Sequence, residues 1–161
     1  MGSAVRNPLD LMKIRPCQFG AQDPLSNTFG FVRANNTRGH QGWDLVAAPG
    51  TPVYAVADAV TKAGISGSYG SWLALKFSYK GHTYFAFYAH LLGYLTRAQN
   101  QSVAEGTEIA LTGRSGNAQR IPLSEAHLHF EVRTTEFPAG KLSGWIDPGE
   151  IFGYRIYSSH A

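Results

Sequence analysis

The stretch WLALKFSYKGHTYFAFY, residues 72–88, contains two runs of alternating side chains separated by Lys80-Gly81. Alternation with a period of two is typical of a strand that buries one face. Lys80-Gly81 interrupts the alternation where a short turn is needed. The stretch therefore predicts an antiparallel hairpin. The apolar positions of its first strand are Leu73, Leu75, Phe77 and Tyr79, alternating with Trp72, Ala74, Lys76 and Ser78.

Further strand patterns lie on both sides of this hairpin. We expect strands at 51–56, after the turn Ala48-Pro-Gly50, at 107–111 and at 127–134. Helical patterns are weak, with about one turn expected within 91–99 and another within 147–152. The sequence therefore predicts a mostly β fold, a compact antiparallel β-sheet domain with little helix.

The composition fits one globular domain. The 161 residues are enough to bury a core, and 18 glycines with 12% aromatic residues suit a β-rich chain. A net charge of +3 would suit an anionic partner surface, but so small a charge is also that of an ordinary solvated surface, which is the interpretation we favour. The single Cys17 excludes an intrachain disulfide and a cysteine-rich metal site.

We expect no membrane span, no nucleic-acid partner and a monomer. Residues 1–26 are expected to wrap the core irregularly, and residues 153–161 to form a tail.

The strand that begins at His127 carries two kinds of face. Alternation places Leu128, Phe130 and Val132 toward the core and puts His127 and His129 together on the opposite face. The Cα atoms of two such residues lie roughly 6–7 Å apart, so both imidazoles can reach one small site. The alternative is a pair of polar residues on a solvated strand face.

A third histidine, His90, ends the second strand of the hairpin. Because side chains alternate along a strand, His90 is predicted on the same face as Tyr84 and Tyr88. From that face we expect it to reach the cleft that contains His127 and His129. The alternative is a strand-end histidine that bonds a backbone carbonyl. His82 follows the turn and is expected to be exposed, and His160 lies in the tail, so neither is given a role.

His40 and Asp44 are four residues apart in His40-Gln-Gly-Trp-Asp44. Full extension would separate them by about 13 Å, too far to share a metal ion. A bend at Gly42 that leads into a strand at Asp44 would bring them together. A neutral imidazole and a carboxylate are both suitable zinc ligands. The alternative is a loop histidine with an aspartate that caps a turn.

Taken together, these fragments resemble the LytM/lysostaphin-type zinc metallopeptidases. That family carries H-x-x-x-D, then [YFG]-x-H-L, then H-x-H-F-E, and this chain has the three elements in that order. Further matches cover residues 27–152, which the resemblance identifies as the catalytic domain. The matching segments are His40–Asp44, Tyr88-Ala-His90-Leu91, His127–Glu131, Thr28-Phe-Gly30, Ala48–Val53, Gly106-Thr107 and Thr112-Gly113.

The resemblance implies a zinc-containing groove on one sheet face. By position, His40, Asp44 and His129 are the implied Zn²⁺ ligands, and His90 and His127 flank the attacking water without a division of roles between them. Tyr88 is a further candidate, for a hydrogen bond to the tetrahedral intermediate. The implied activity is that of a zinc metalloendopeptidase that hydrolyses peptidoglycan stem-peptide cross-links, with D-Ala–diaminopimelate favoured over a glycine bridge. The alternative is a non-catalytic LytM-like module that binds the cell wall and activates an amidase.

Two departures from the family pattern affect specificity and location. The segment NAQRIPLSEA, residues 117–126, is longer than the usual Ser-Thr-Gly-Pro link and is expected to border the cleft. Residues 1–8 lack the apolar core of a secretory signal peptide. The family's place of action is the periplasm or the outside of the cell. Export by a specialised secretion system would account for this, as for an antibacterial effector with an immunity or inhibitor protein as partner. The alternative is that the chain is the excised domain of a larger protein.

Overall fold

The computed structural model describes residues 5–15, 27–33, 38–94, 99–140 and 142–154. Within these ranges the chain is mostly antiparallel β-structure with one short α-helix and two 3₁₀ turns, which confirms the fold class expected from the sequence. The strands are β1 (Gly30–Arg33), β2 (Arg38–His40), β3 (Trp43–Val46), β4 (Pro52–Tyr54), β5 (Ala59–Ser66), β6 (Gly70–Tyr79), β7 (His82–Tyr94), β8 (Ser102–Val103), β9 (Glu108–Thr112), β10 (His127–Arg133) and β11 (Trp145–Ile146). The helix α1 is Gly149–Phe152, and the 3₁₀ turns are Gly116–Arg120 and Leu123–Glu125.

Strands β6 and β7 form the predicted hairpin. Lys80 and Gly81 both have positive φ, at 49° and 81°, as a two-residue hairpin turn with the twist of its strands requires. The apolar side chains of β6 at Leu73, Leu75 and Phe77 are buried in the core, as the alternation predicts.

The large sheet has the order β11-β10-β7-β6-β5-β8, and β3 and β9 pair with β10 and β7 respectively. One face carries the main core, which includes Trp43, Leu75 and Phe130. On the opposite face Phe87 and Ala89 belong to a smaller apolar cluster. The second face holds the candidate site, so the core fixes the strands and leaves the other face for polar groups.

The second hairpin strand is longer than expected. Leu91–Tyr94 continue β7 as a strand, so the prediction of a helical turn beginning at Leu91 is wrong; residues 95–98 lie outside the described part. Gly93 pairs with Leu111, and Leu91 is fully buried. Pairing with β9 outweighs the weak local preference for helix. The terminal turn predicted within 147–152 is present as α1.

Residues 5–15 lie against the sheet. Ile14 pairs with Leu45 of β3, and both Leu9 and Ile14 are 1% exposed in the core. The described N-terminal stretch is therefore anchored by backbone pairing as well as by apolar burial. Cys17 and His160 lie outside the described residues. Across the described ranges, no helix is long and apolar enough to cross a membrane.

Candidate metal centre

A cavity of about 510 Å³ opens on the second face of the sheet. Its walls are formed by the N-terminal stretch, β2, β3 and the bend between them, the β5–β6 turn, β7, the segment from the Gly116–Arg120 turn to Ile121, and β10. Four of the histidines singled out from the sequence, together with Asp44, line this one cavity. The complete lining is Arg15, His40, Gln41, Asp44, Ser68, Tyr69, His90, Asn117, Ile121, His127 and His129.

Strand β10 brings the H-x-H pair to Asp44. It pairs with β3 in a register that sets His129 opposite Asp44, and Nδ1 of His129 lies 2.8 Å from Oδ1 of Asp44. His127 lines the same cavity, while Leu128 and Phe130 are in the core, as the alternation predicts. Both faces of β10 are buried, so the alternative of a solvated histidine face is wrong.

The bend at Gly42 is present and brings His40 to Asp44. Nε2 of His40 lies 3.3 Å from Oδ1 of Asp44. The reason for glycine differs from the expected backbone freedom, because a Cβ at Gly42 would lie 2.1 Å from the carbonyl oxygen of Phe130. Gly42 is therefore required by the close approach of the bend to β10, and its φ is not in the left-handed region.

Three side chains in the cavity have the geometry to hold a metal ion. One nitrogen each of His40 and His129 and one oxygen of Asp44 all lie within 4.8 Å of one another. Two imidazoles and a carboxylate fit zinc and leave a fourth position for water. The imidazole Nδ1 of His40 lies 2.8 Å from the carbonyl oxygen of Thr28, to which it can donate, so Nε2 carries the lone pair toward the cluster.

His90 and His127 have a common orientation. Nδ1 of His90 lies 2.8 Å from the Ser115 carbonyl oxygen, and Nδ1 of His127 lies 3.0 Å from that of Glu125. Each Nδ1–H can donate to that carbonyl, which leaves Nε2 as an acceptor. Nε2 of His127 is 3.9 Å from Oδ1 of Asp44. The two rings meet edge to face with centroids 5.3 Å apart.

The route by which His90 reaches the cavity differs from the one expected. Simple alternation would put it on the face of Tyr88, but Tyr88 belongs to the main core. Ala89 lies on the opposite face and His90 lines the cavity, so the alternation breaks between them. His90 has a φ of 60°, the register of β7 with β6 shifts between Tyr88 and Leu91, and its register with β9 shifts between Leu91 and Gly93. A β-bulge, which adds one residue to a strand, therefore turns the imidazole toward the site.

Tyr88 does not reach the cavity, so the prediction that its hydroxyl bonds to the tetrahedral intermediate is wrong. Its side chain is fully buried in the main core. Its hydroxyl donates to the carbonyl oxygen of Tyr54 at 3.1 Å and accepts from the Val56 N–H at 3.2 Å. Burial raises the pKa of this phenol, so it stays neutral. The hydroxyl is a structural group that ties β7 to the chain after β4.

Three side chains at the site were given no role from the sequence, namely Arg15, Tyr69 and Glu131. Tyr69, in the β5–β6 turn, stacks on His129 with ring centroids 5.7 Å apart and donates to Oε2 of Glu131 at 2.9 Å. Glu131 lies 2.6 Å from Nε2 of His129. Alternation along β10 predicts Glu131 on the face of His129, but it does not predict the contact between the two side chains. Tyr69 has no comparable signal, because its partners are on strands far away in the sequence.

Glu131 is a fully buried carboxylate that accepts from four side chains. Besides Tyr69 and His129, it accepts from Nε of Arg133 at 2.8 Å and from Nε1 of Trp145 at 2.7 Å. Burial raises the pKa of Glu131, but the hydrogen bond and charge of His129 and the charge of Arg133 outweigh it and bring the pKa to about 2. Glu131 is therefore ionised at neutral pH and can only accept from the histidine ring.

The other pKa shifts divide the histidines into two kinds. Burial lowers the pKa of His129, but its hydrogen bonds to Asp44 and Glu131 outweigh burial and raise it to about 9. Burial, with the charges of His129 and His127, lowers the pKa of His90 to about 4. Burial also lowers the pKa of His127. For Asp44, burial is outweighed by the charges of His40 and His127, so its pKa lies well below the usual range.

The long segment 117–126 borders the cavity, as expected from the sequence. Asn117 and Ile121 line the cavity, and the Asn117 N–H donates to the Ser68 carbonyl oxygen at 2.9 Å. A Cβ at Gly116 would lie 2.3 Å from the backbone nitrogen of Gly70, so the 3₁₀ turn packs tightly on the β5–β6 turn. The segment is thus joined to the wall that carries Tyr69.

Curated relatives match most of this chain. A DD-carboxypeptidase/endopeptidase, Mpg, of Neisseria meningitidis serogroup B is 32% identical over 131 residues, 79% of this chain and 28% of that protein. The peptidoglycan DD-endopeptidase ShyC of Vibrio cholerae is 29% identical over 151 residues, 87% of this chain and 31% of its own length. The chain thus spans less than a third of these relatives.

Solved structures share the fold, and a family model covers the site. The catalytic domain of lysostaphin from Staphylococcus simulans has a TM-score of 0.63 at 25% identity, covering 80% of this chain and 90% of its own. A zinc-containing peptidase from Vibrio cholerae has a TM-score of 0.60 at 25% identity, covering 81% of this chain and 37% of its own. The model of peptidase family M23 matches residues 38–140, more than half of the chain and all five of the histidine and aspartate positions in the cavity. The chain belongs to peptidase family M23.

Proposed function

We propose that this chain is a zinc-dependent endopeptidase that hydrolyses peptide cross-links of bacterial peptidoglycan. One observation carries the proposal, namely that a cluster with the ligand types of a catalytic zinc site shares a cavity with two further histidines. Membership of peptidase family M23 and the DD-endopeptidase relatives support it. The zinc-containing peptidase among the similar structures supports the choice of metal.

His40, Asp44 and His129 are the proposed zinc ligands. Zinc held by three protein ligands lowers the pKa of a bound water toward neutrality and polarises a carbonyl. The Thr28 carbonyl oxygen holds the ring of His40, and Glu131 holds that of His129. Such outer contacts fix which ring nitrogen is available to the metal. The ligand set is therefore oriented before any metal binds.

His90 and His127 are the proposed proton-transfer residues. With lowered pKa values both rings are neutral at pH 7, and their anchored Nδ1 atoms leave Nε2 as an acceptor. One Nε2 can accept a proton from the attacking water. Once protonated at Nε2, that ring can donate to the developing oxyanion and then pass the proton to the leaving amine nitrogen, which leaves the ring neutral again.

The D-Ala–diaminopimelate cross-link is the proposed substrate. The names of the two curated relatives, a DD-carboxypeptidase/endopeptidase and a peptidoglycan DD-endopeptidase, support cleavage of a DD bond. The likeness to the lysostaphin catalytic domain makes the glycine bridge the natural comparison. The test incubates the protein with sacculi of each wall type and analyses the released muropeptides by mass spectrometry. We expect cross-linked dimers to be lost only from the diaminopimelate type.

Matched variants separate catalysis from binding. His127→Ala removes a proposed proton-transfer residue, and His82→Ala removes an exposed histidine outside the cavity as a control. Loss of a general acid or base costs about 10²–10⁴-fold in rate, so His127→Ala should leave dimers intact over the time in which His82→Ala removes them. Cleavage of glycine bridges alone would replace the proposed substrate. Binding to sacculi without any cleavage would favour the amidase-activating module.

The place of action follows from the substrate. We propose that the chain acts in the cell envelope, with residues 27–152 as the catalytic domain, residues 5–15 packed on its core and residues 153–161 outside it. We also propose an antibacterial effector role, with an immunity or inhibitor protein as partner. Expression directed to the periplasm of a sensitive bacterium should lyse cells, whereas the same protein kept in the cytoplasm should not.

A further inference from the structure

The N-terminal stretch holds one arginine directly behind the proposed metal ligands. The backbone N–H of Arg15 donates to the carbonyl oxygen of Asp44 at 2.8 Å, and the Val46 N–H donates to that of Lys13 at 2.7 Å. With the pairing of Ile14 and Leu45 between them, these bonds fix Arg15 beside Asp44 in strand register. The position of Arg15 is therefore as well defined as that of a sheet residue, although it lies outside the part matched by the family model.

The guanidinium of Arg15 is shared between two buried carboxylates. Its Nε and Nη2 donate to Oε1 of Glu125 at 3.2 and 3.1 Å, and its Nη1 lies 3.8 Å from Oδ2 of Asp44. Glu125 is fully buried, and its Oε2 has no hydrogen-bond partner among the residues that the structure describes. A buried carboxylate is tolerated only when it is paired, so Arg15 is needed where two carboxylates lie close together.

The two oxygens of Asp44 have different surroundings. Oδ1 faces the histidines, at 2.8 Å from Nδ1 of His129 and 3.3 Å from Nε2 of His40. Oδ2 faces the guanidinium of Arg15. A carboxylate can bind a metal through one oxygen or both. With two imidazoles, a one-oxygen carboxylate leaves the fourth position of a tetrahedral zinc open, whereas a two-oxygen carboxylate would occupy it.

We propose that Arg15 is a positioning residue that retains Oδ2 of Asp44 and so keeps this carboxylate a one-oxygen ligand. The inference rests on the proposed zinc site but not on the identity of the substrate. Arg15 acts through Asp44, and Glu125 acts through Arg15 by accepting two hydrogen bonds from its guanidinium and so holding it beside Asp44. Loss of an outer partner of this kind typically costs about 10–100-fold in metal affinity.

The test uses three variants of the full chain. Arg15→Met removes the guanidinium but leaves Glu125 buried and unpaired, which can unfold the protein. Arg15→Met combined with Glu125→Gln removes both charges and avoids that cost. Arg6→Met is the control, because Arg6 lies in the same stretch and pairs with Asp10 at an exposed position.

Two measurements are made on each folded variant. Zinc affinity is obtained by competition with a chromophoric chelator, and the visible spectrum of the cobalt(II)-loaded protein reports coordination number, because four-coordinate cobalt absorbs more strongly than five-coordinate cobalt. We expect the double variant to unfold like the wild type, bind zinc about 10–100-fold more weakly and show weaker cobalt absorption. Arg6→Met should match the wild type in both.

The outcomes separate this inference from the proposed reaction. Wild-type zinc affinity and an unchanged cobalt spectrum in the double variant would overturn the positioning role, leaving Arg15 a structural residue only. A wild-type protein that binds no zinc would overturn it together with the metal site. If the affinities follow the expected order while sacculi stay intact, the positioning role stands and the proposed peptidoglycan reaction fails.

Discussion

Replacement of Glu131 by glutamine tests how the site selects the metal-binding nitrogen of His129. Glu131 can only accept, so the proton of a neutral His129 ring is on Nε2, and Nδ1 keeps its lone pair toward Asp44. In Glu131→Gln, the amide oxygen can still accept from Arg133 and Trp145, which turns its NH₂ group toward the histidine. The NH₂ group favours an unprotonated Nε2, so the proton moves to Nδ1 and blocks the lone pair that zinc needs.

Two effects of this variant can be given a magnitude. Loss of an outer carboxylate lowers metal affinity by about 10–100-fold, or about 1.4–2.8 kcal/mol. Separately, Arg133 is 5% exposed and loses its charged partner. Breaking a buried ion pair costs about 3–5 kcal/mol, and we expect the lower end because the amide oxygen keeps two hydrogen bonds.

The assay is a zinc competition titration at a temperature where far-ultraviolet circular dichroism shows both proteins folded. Glu136→Gln is the matched control, because Glu136 pairs with Lys62 at an exposed position outside the cavity. Its zinc affinity should equal that of the wild type, and its stability should change by less than about 1 kcal/mol. Zinc binding by Glu131→Gln within twofold of the wild type would refute the argument that Glu131 sets the proton position on His129.

Three further predictions follow from the same contacts. Gly42→Ala places a Cβ 2.1 Å from the Phe130 carbonyl oxygen and should lower the free energy of unfolding, measured by urea titration, by about 3 kcal/mol. The control Gly67→Ala has open space around its Cβ and should change that free energy by less than about 0.5 kcal/mol. Equal values for the two variants would contradict the close approach. Tyr88→Phe removes two hydrogen bonds and should lower the free energy of unfolding by about 1–3 kcal/mol without changing the rate of sacculus hydrolysis. A large fall in that rate in the fully folded variant would indicate that the hydroxyl takes part in the reaction. In the metal-free protein the raised pKa of His129, about 9, means that zinc must displace a proton below that pH. The logarithm of zinc affinity should therefore gain about one unit per pH unit from this ring between pH 7 and 9, and a flat profile by competition titration would contradict it.

The hairpin and the two faces of β10 could be predicted because both follow from alternation. Leu73, Leu75 and Phe77 are buried where the period-two pattern puts them, and His127 and His129 share a face for the same reason. The bend between His40 and Asp44 was predicted because an extended chain cannot bring the two side chains together, and Gly42 with the proline-containing segment 48–52 disfavours a helix. These features depend on the side-chain alternation and the rise per residue of a single strand, which can be worked out from the sequence without knowing which strands pair.

The features that escaped prediction depend on contacts between distant strands. The bulge at His90 breaks the alternation, and its cause is pairing with β6 on one side and β9 on the other. The same break separates His90 from Tyr88, whose assignment to the cleft was wrong. Tyr69 and Arg15 reach the site from a turn and from the N-terminal stretch, and no spacing motif connects either with β10.

The most direct test of the central claim measures metal content and bond cleavage on one sample. The purified chain is loaded with zinc, its metal content is determined by mass spectrometry, and the same sample is incubated with a purified D-Ala–diaminopimelate cross-linked stem-peptide dimer. We predict about one zinc per chain, conversion of the dimer to two monomers, and loss of both zinc and conversion in Asp44→Ala. A wild-type chain that carries one zinc and leaves the dimer intact, or one that converts it without metal, would contradict the account.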